Sequence, residues 1–326
     1  MKKQKVVTIG GGSGSFMVLT GLKKLPVELS AVVSMADDGG SSGALRDELG
    51  VLPPGDARQC LVALSNSSQT LRELFTYRYD NGGFKGHAFG NLFLSTMEKV
   101  SGGFDRAIKQ AGQILNIKGQ VLPVTLKSTR LIAVLKNGKK IIGENKIYGN
   151  QADLHNLKKL YLKPAAELNP EVKAAVLAAD KIIICPGDLY ASIIPNLLVG
   201  GMKQILAKTR AKIIYVGNLM TKPGQTDGFT LVDYLKLVER YLGAGVIDYA
   251  IYNKEKPAVG LLKKYSRQGE DLVAVGDLSQ LPKIKFLGYN LLSHQGFKVK
   301  PGDALAGLRS LIRHDPDKLA AVIYNL

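Results

Sequence analysis

The sequence predicts an α/β protein in which a doubly wound, mainly parallel sheet is covered by helices on both faces and carries a small antiparallel β-hairpin insertion. Three observations predict this class. Short runs of isoleucine and valine alternate with stretches in which apolar residues recur at helical spacing. Such continuously apolar runs are typical of strands buried on both faces of a parallel sheet. Asn137 and Gly138 stand between two β-rich arms, and this dipeptide is the strongest short signal for a hairpin.

The first strand–turn–helix unit opens the chain. A β-rich run from Lys5 to Ile9 ends in glycines, and Phe16, Leu19 and Leu22 follow at helical spacing. The same alternation recurs further along the chain. Further strands are predicted over residues 29–35, 181–185, 211–216 and 245–253, and helices over residues 90–100, 104–115 and 231–243.

The whole chain is expected to form a single domain, residues 1–326. Between about residues 119 and 165 the pattern changes from helical to β-rich, and we expect a small inserted β subdomain there. The apolar content of 45% and the charged content of 22% are those of an ordinary globular protein. No internal repeat or low-complexity segment interrupts the pattern.

The net charge of +17, from 44 lysines and arginines against 27 aspartates and glutamates, favours an anionic partner. A nucleotide, an acidic metabolite and nucleic acid all fit that charge. The lysines are scattered in pairs, and no helix-turn-helix or aromatic RNA-binding signature accompanies them. We therefore interpret most of them as solvated surface charge and do not expect nucleic acid as the partner.

The sequence indicates a cytoplasmic protein with no membrane span. No stretch approaches the roughly 18 uninterrupted apolar residues that a membrane span needs. The apolar run near the start, Val6 to Ile9, is too short for a signal peptide. Cys60 and Cys185 lie far apart without metal-ligand spacing, so we expect two buried free thiols.

The first candidate binding element is GGGSG, residues 10–14. Glycines let the backbone approach a phosphate, and N–H groups at a helix start attract negative charge. Ser15 stands where a dinucleotide fingerprint requires its third glycine, and the lysine of a P-loop is missing. A tight turn without a ligand is the alternative. The position at the end of the first strand favours phosphate binding.

The second candidate element is ADDGGSSG, residues 36–43. In dinucleotide-binding folds an acidic residue roughly 20 positions after the glycine loop holds the ribose, and the spacing here is somewhat longer. Asp37 and Asp38 could also bind Mg²⁺ or act as a base, with Ser41 and Ser42 beside them. The alternative is an Asx-turn that caps the next helix. We expect a functional role for at least one aspartate.

Two other segments place polar side chains near these loops. Asp56 is predicted to be a helix N-cap, and Arg58 either forks a phosphate or pairs with an acidic neighbour. His87 and Asn91 are predicted to share one face at the start of a helix, with capping as the alternative role of the histidine. No Ser-His-Asp arrangement can be assigned, so nothing marks a hydrolase nucleophile.

Five segments, in this order and spacing, resemble the YvcK/CofD family over nearly the whole chain. They are GGGSGS, ADDGGSSGALRDELGVLPPGD, GHAFGNLFL, PGDLYASIIPNLL and NLMTKPGQTDGFT. The similarity is greatest to the YvcK branch, whose members are described as gluconeogenesis factors. The resemblance implies a three-layer α/β/α, Rossmann-like fold and a nucleotide-binding domain.

The resemblance also implies a ligand cleft, and its residues come from separate loops. The implied ligand-binding residues are Gly11, Gly12, Ser13, Gly14, Asp37, Asp38, Ser41, Ser42, Asn91, Gly187, Leu189, Tyr190, Asn196 and Asn218. Tyr265 and Arg313 are implied to clamp a uridine. Covering a helix end is the alternative for Tyr265.

The YvcK branch is linked to growth on gluconeogenic carbon sources, to cell shape and wall precursor supply, and to UDP-sugar binding. The resemblance therefore implies a regulator that binds a UDP-sugar or another nucleotide, acts through an unknown protein partner, and is compatible with a homo-oligomer. No cofactor is assigned with certainty.

The alternative follows from the CofD enzymes. It is a metal-dependent transferase, similar to 2-phospho-L-lactate transferase, that moves a phospholactate-type group from a nucleotide diphosphate ester. Asp37 and Asp38 would then be the catalytic candidates, and Mg²⁺ the candidate metal. Cys185, Asp188 and Ala44 depart from the family pattern. The added carboxylate of Asp188 would repel a phosphate unless a cation intervenes.

Overall fold

The computed structural model describes residues 3–149, 154–294 and 311–326. The strands are β1 (Gln4–Gly10), β2 (Val27–Val33), β3 (Gln120–Pro123), β4 (Arg130–Leu135), β5 (Lys140–Ile142), β6 (Leu157–Lys163), β7 (Lys181–Ile184), β8 (Lys212–Val216), β9 (Tyr249–Asn253) and β10 (Lys285–Tyr289). The helices are α1 (Gly12–Leu22), α2 (Gly40–Leu49), α3 (Gly55–Leu64), α4 (Gln69–Thr76), α5 (Phe89–Ser101), α6 (Phe104–Ile114), α7 (Glu144–Gly149), α8 (Pro170–Leu177), α9 (Ile194–Leu197), α10 (Met202–Lys208), α11 (Leu231–Leu242), α12 (Val259–Ser266) and α13 (Pro316–Asn325). A π-helical turn, Leu189–Ile193, precedes α9.

Seven strands form one parallel sheet in the order β10-β9-β8-β7-β1-β2-β3. The chain proceeds outward from β1 to β3, crosses to β7 on the other side of β1, and proceeds outward again to β10. The direction of winding reverses between β1 and β7. Ligands of doubly wound sheets bind at the carboxyl ends of the strands beside such a reversal. The predicted fold class is confirmed.

The sheet is buried on both faces because its strands are apolar at consecutive positions. In β7, Ile182 and Ile184 pack into one core cluster, whereas Ile183 between them packs into the other. This follows from the alternation of side chains along a strand. Helices α1, α3, α6 and α13 contribute to the core on one face, and α8, α10 and α11 to the core on the other. The result is three layers.

The small antiparallel sheet has the order β5-β4-β6 and packs its apolar face into the second of these cores, through Leu131, Ala133 and Ile141. The predicted hairpin is confirmed: Gly138 has a φ of +84° in the turn between β4 and β5. The third strand, β6, was not predicted. The expected subdomain boundaries, about 119–165, stay a prediction; the sheet itself begins at β4, because β3 pairs with β2 in the large sheet.

Two strands of the large sheet, β3 and β10, were not predicted from the sequence. β3 has four residues and ends at Pro123, and β10, at the other edge of the sheet, has no fully buried residue. Neither shows the long isoleucine and valine run that marks β7 and β8. Among the described residues, no helix is both long and apolar enough to cross a membrane. Cys60 and Cys185 are buried free thiols, as expected.

Candidate functional site

The loop after β1 leads into α1, and the first backbone N–H of this helix is hydrogen-bonded to a side chain of α3. Gly12, the first residue of α1, has a φ of +63°, a conformation that favours glycine. Its backbone N–H donates to Asp56 Oδ1 at 2.9 Å. Asp56 was predicted to cap its own helix, and that prediction is wrong. It lies in the first turn of α3, behind the N-cap residue Pro54, and supplies its carboxylate to α1 instead.

Two glycines of this loop are required by close packing. An ideal Cβ built on Gly11 would lie 2.1 Å from the Asp56 carboxylate, and one on Gly14 would lie 1.7 Å from the backbone oxygen of Pro186. These positions therefore let α3 and the turn after β7 approach α1. Ser13, between them, is exposed. The tight-turn alternative thus accounts for Gly11 and Gly14. The N–H of Gly12 is occupied by Asp56, so Ser13 is the residue of this loop that remains open to a ligand role.

Asp37 lies in the loop after β2 and turns towards α3. Its Oδ1 accepts from the N–H of Gly39 at 2.9 Å, which is the Asx-turn considered as an alternative. The Ser42 hydroxyl also hydrogen-bonds the Asp37 carboxylate and accepts from the Gly55 N–H at 3.1 Å. Burial is the main reason that the pKa of Asp37 is raised. The neighbouring Asp38 raises it further.

Asp38 has a different environment from its neighbour. Its side chain is 8% exposed, and its Oδ1 accepts from the N–H of Asn145 in α7 at 2.8 Å. Its Oδ2 lies 3.7 Å from a guanidinium nitrogen of Arg46 and 3.7 Å from one of Arg130 on β4. Asp38 therefore connects the loop after β2 to the small antiparallel sheet. The adjacent aspartates therefore differ: Asp37 is bonded within its own loop and to Ser42, whereas Asp38 anchors the small sheet.

Ser41 is the centre of a buried hydrogen-bond network. Its hydroxyl oxygen accepts from Asn91 Nδ2 at 3.1 Å and lies 3.2 Å from His87 Nδ1. Asn91 Oδ1 in turn accepts from Arg58 Nε at 2.8 Å. Arg58 is buried in this network and also donates to the backbone oxygen of Phe75, so the structural alternative fits it better than a phosphate fork. His87 precedes α5, which corrects its predicted place on the helix.

The third loop follows β7 and is held by the loop after β8. Asn218 Nδ2 donates to the Gly187 backbone oxygen at 2.8 Å, and Asn218 Oδ1 accepts from the Gly187 N–H at 3.3 Å. Asp188 Oδ1 accepts from the Ala191 N–H at 2.8 Å and caps the π-helical turn. Burial raises the pKa of Asp188. This added carboxylate thus has a capping role within its own loop.

Three predicted residues in the π-helical turn and in α9 are buried: Leu189, Tyr190 and Asn196. Asn196 donates through Nδ2 to the Ser192 backbone oxygen at 2.8 Å. Its Oδ1 is buried without a hydrogen-bond partner among the described residues. Leu189 and Tyr190 pack in the core between the large sheet and the small one. Their packing in this core anchors the segment that follows β7.

Glu144, the first residue of α7, is a member of the site that the sequence did not reveal. Burial raises its pKa to about 9, and the nearby negative charges of Asp37, Asp56 and Asp188 add to that rise. Burial and the charge of Asp37 also raise the pKa of Asp56, to about 7. Carboxyl groups from four separate segments therefore share one poorly hydrated region at the carboxyl edge of the sheet.

These carboxyl groups fit a Mg²⁺ ion only as a pair of ligands, with water and phosphate oxygens supplying the others. No three His, Cys, Asp or Glu side chains converge on a metal position within residues 3–149, 154–294 and 311–326. Mg²⁺, however, is usually held by one or two carboxylates, with water and phosphate oxygens completing the octahedron. Asp37 and Asp56 are the pair that would hold it, since both are buried and the charge of Asp37 raises the pKa of Asp56.

The two residues implied to clamp a uridine lie further from the glycine loops. Tyr265 is buried on α12 with Leu219, which follows Asn218 directly, and with Ile312. Its hydroxyl oxygen accepts from the N–H groups of Leu311 at 2.5 Å and Ile312 at 3.3 Å. Tyr265 thus holds the segment that contains Arg313. The clamp itself stays a prediction.

The geometry defines a doubly wound α/β protein in which three polar loops meet at the reversal point of a parallel sheet. A family model described as 2-phospho-L-lactate transferase CofD matches residues 6–294. The chain belongs to the CofD family, and its resemblance to the YvcK/CofD family is confirmed.

Within this family, the chain is similar to proteins named gluconeogenesis factors and to a solved structure. A protein of Thermotoga maritima named "Putative gluconeogenesis factor" is 42% identical over 323 residues, which cover 99% of each chain. The gluconeogenesis factor of Bacillus subtilis is 36% identical over 329 residues, covering 100% of this chain and 98% of that one. A crystal structure of a UPF0052 family protein from Bacillus halodurans matches with a TM-score of 0.90 and 35% identity, covering 99% of each chain.

Proposed function

We propose that the protein is a gluconeogenesis factor that binds a UDP-sugar or a similar nucleotide and regulates carbon flow towards cell-wall precursors. The observation that carries the binding proposal is the meeting of the loops after β1, β2 and β7 at the reversal between β1 and β7. The names of the relatives support the gluconeogenic role. Effects on cell shape through a protein partner, and the cytoplasmic location, stay predictions.

The open part of the first loop supports phosphate binding. Ser13 stands at the amino end of α1, where backbone N–H groups and the helix dipole favour an anion, while the N–H of Gly12 beside it is held by Asp56. Gly11, the N-cap residue, makes no side-chain cap hydrogen bond. Asn218 fixes the facing loop through two hydrogen bonds to Gly187. A diphosphate would bridge these two loops, with its sugar or base directed towards the loop after β2.

The carboxylates of the site determine whether a nucleotide needs a cation in order to bind. A phosphate close to ionised Asp37 and Asp56 would be repelled strongly, because Coulomb energies are large where water is excluded. Burial is the main cause of the raised pKa values of these groups, and neighbouring carboxylates add to it. Mg²⁺ bound by Asp37 and Asp56 would supply the missing positive charge and orient the phosphates. We therefore propose that nucleotide binding depends on a divalent cation.

A transferase is the second candidate, and one observation favours it. The pKa of Asp56 is raised to about 7, which suits a group that exchanges a proton near neutral pH. Asp37 lies beside it, whereas Asp38 is occupied by Arg46 and Arg130. An enzyme built on this site would therefore use Asp37 and Asp56 and not the adjacent pair Asp37 and Asp38.

Thermal-shift titration tests the binding proposal. The ligands are UDP-N-acetylglucosamine, GDP, NAD and UTP, each with Mg²⁺ and with EDTA. A ligand at 100 times its Kd is expected to stabilise the fold by about 2.7 kcal/mol. We expect that result for the UDP-sugar with Mg²⁺. Failure of all four ligands to raise the melting temperature would overturn the proposal.

Product analysis separates the two candidates. The transferase predicts release of GMP or UMP from a nucleotide diphosphate ester when acceptors are supplied with Mg²⁺. The regulator predicts binding without release. Nucleic-acid binding predicts salt-sensitive retention on DNA or RNA, since phosphate contacts release counterions. Retention that does not change with salt would exclude that third role.

A further inference from the structure

The amino-terminal edge of the large sheet, opposite the glycine loops, carries a basic groove of about 540 Å³. Its cationic lining consists of Arg210, Lys212, Lys283 and Lys285, all exposed. Asp248 is the one acidic residue among the groove's lining residues, and its Oδ2 is engaged by the backbone N–H of Ile213 at 2.8 Å. The groove therefore presents a strong excess of positive charge to the solvent.

The strand register brings the central groups of the groove together. Lys212, Tyr249 and Lys285 are the first residues of β8, β9 and β10, which are neighbours in the sheet. Lys285 is paired directly with Tyr249. On β8 the partner of Tyr249 is Ile214, and Lys212 lies two residues before Ile214. Their side chains thus lie on the same face of the sheet.

Tyr249 forms an aromatic floor between two cations. Lys285 Nζ lies 5.7 Å from the centre of its ring, and Lys212 Nζ lies 6.0 Å from it. Cation–π contacts of this length hold ammonium groups near the ring without neutralising their charge. Lys212 also donates to the backbone oxygen of Leu326. The ring and these contacts position both ammonium groups at the groove.

Lys212 has one structural contact, to Leu326, but ordinary structural roles do not explain Lys283 and Lys285. Helix C-termini favour basic residues, as at Lys208 in the last turn of α10, but Lys212, Lys283 and Lys285 lie outside helices. Across the part of the chain that the structure describes, no carboxylate side chain forms an ion pair with the four cations of the groove. Four like charges around one concave surface repel one another until an anion binds.

We propose that this groove is a second anion site, which binds a small polyphosphate-bearing molecule at the sheet edge opposite the glycine loops. Its size matches the lower range of small-molecule pockets. Three lysines and an arginine suit a ligand with several phosphate charges better than a single carboxylate, since each ammonium contributes a point charge. The site is independent of the proposed function, because it shares no residue with the cleft.

Isothermal titration with inorganic tripolyphosphate at low ionic strength tests this site in the full chain. The variant is Lys212→Ala combined with Lys285→Ala. The matched control is Lys139→Ala combined with Lys140→Ala, which removes the same charge from the exposed hairpin end of the small sheet. We expect the groove variant to lose at least tenfold in affinity and the control less than twofold, with both melting temperatures unchanged.

The other outcomes overturn the proposal. Equal losses in both variants would show that tripolyphosphate responds only to net charge. Unchanged affinity in the groove variant would place the anion elsewhere, including at the glycine loops. Tight binding of heparin or single-stranded RNA without measurable tripolyphosphate binding would show that the groove serves a macromolecule.

Discussion

Asp56 Oδ1 accepts a hydrogen bond from the backbone N–H of Gly12 at 2.9 Å, so the protein places its own carboxylate at the start of α1. The amino end of a helix at the first strand is where doubly wound proteins hold a phosphate. Burial and the charge of Asp37 raise the pKa of Asp56 to about 7. Near neutral pH, a proton or a cation therefore decides whether this region accepts an anion.

The pKa of Asp56 predicts a stability that falls as pH rises. An acid whose folded pKa exceeds its unfolded value stabilises the fold fully below the unfolded pKa, here 3.8, and the contribution is lost as pH rises towards about 7. A rise of that size corresponds to roughly 4 kcal/mol at most. We expect the free energy of unfolding, measured in urea without divalent cations, to decrease between pH 5 and pH 8.

Asp56→Asn is expected to reduce this pH dependence and to stabilise the protein at pH 8 by about 1–3 kcal/mol. The asparagine oxygen still accepts from Gly12, while the buried charge is removed. Asp80→Asn, at an exposed loop position, is the matched control and should leave the pH profile unchanged. A profile as steep in the Asp56 variant as in the natural sequence would contradict the assignment.

The adjacent aspartates are expected to respond in opposite ways. Asp38→Ala removes the carboxylate shared by Arg46 and Arg130, leaves the buried Arg46 with Asp47 as its remaining acidic partner, and should destabilise the protein by roughly 1–3 kcal/mol. Asp37→Asn removes a repelled charge and should be neutral or stabilising, but it should abolish cation-dependent nucleotide binding. Urea unfolding and ligand titration of both variants check this. Equal stability losses in the two variants would contradict the different roles assigned to Asp37 and Asp38.

Packing predicts which helical glycine is indispensable. A Cβ on Gly14 would meet the Pro186 backbone oxygen at 1.7 Å, and backbone can move only with the loop, so Gly14→Ala should cost about 3 kcal/mol or more. Gly260→Ala, inside α12 with no atom near its Cβ position, is the control and should stabilise by up to about 1 kcal/mol. Thermal unfolding of both variants measures the difference. A tolerated Gly14→Ala would show that the turn after β7 is not tightly packed on α1.

The network around Ser41 predicts a cost for removing its central amide. Asn91→Ala leaves Arg58 Nε and the Ser41 hydroxyl without that partner in a buried region, and should destabilise by about 2–4 kcal/mol. Thr96→Ala, exposed on the same helix, should change stability by less than about 0.5 kcal/mol. A small effect of Asn91→Ala would mean that water replaces the amide.

The sequence predicted the parts of the fold with strong local periodicity. The runs at β1, β7 and β8 and the hairpin at Asn137–Gly138 were recognisable because their apolar or turn residues are consecutive. β3 and β10 were missed because short edge strands need few apolar residues. Family resemblance supplied the remaining site positions, which no local pattern marks.

The site was harder to predict because its contacts cross between distant segments. Nothing near Glu144 in the sequence indicates that α7 brings a carboxylate close to Asp37 and Asp56. The capping of α1 by Asp56 joins residues 44 positions apart. Asp37 and Asp38 look equivalent in the sequence, and only their partners in space distinguish them.

Calorimetric titration of UDP-N-acetylglucosamine with Mg²⁺ and with EDTA, on the natural sequence and on Asp37→Asn, tests the central claim most directly. We expect binding with Mg²⁺, at least a tenfold loss in EDTA, and an equally weak affinity in Asp37→Asn under both conditions. Affinity that is the same with and without Mg²⁺ in both proteins would contradict a cation-dependent nucleotide site at these aspartates.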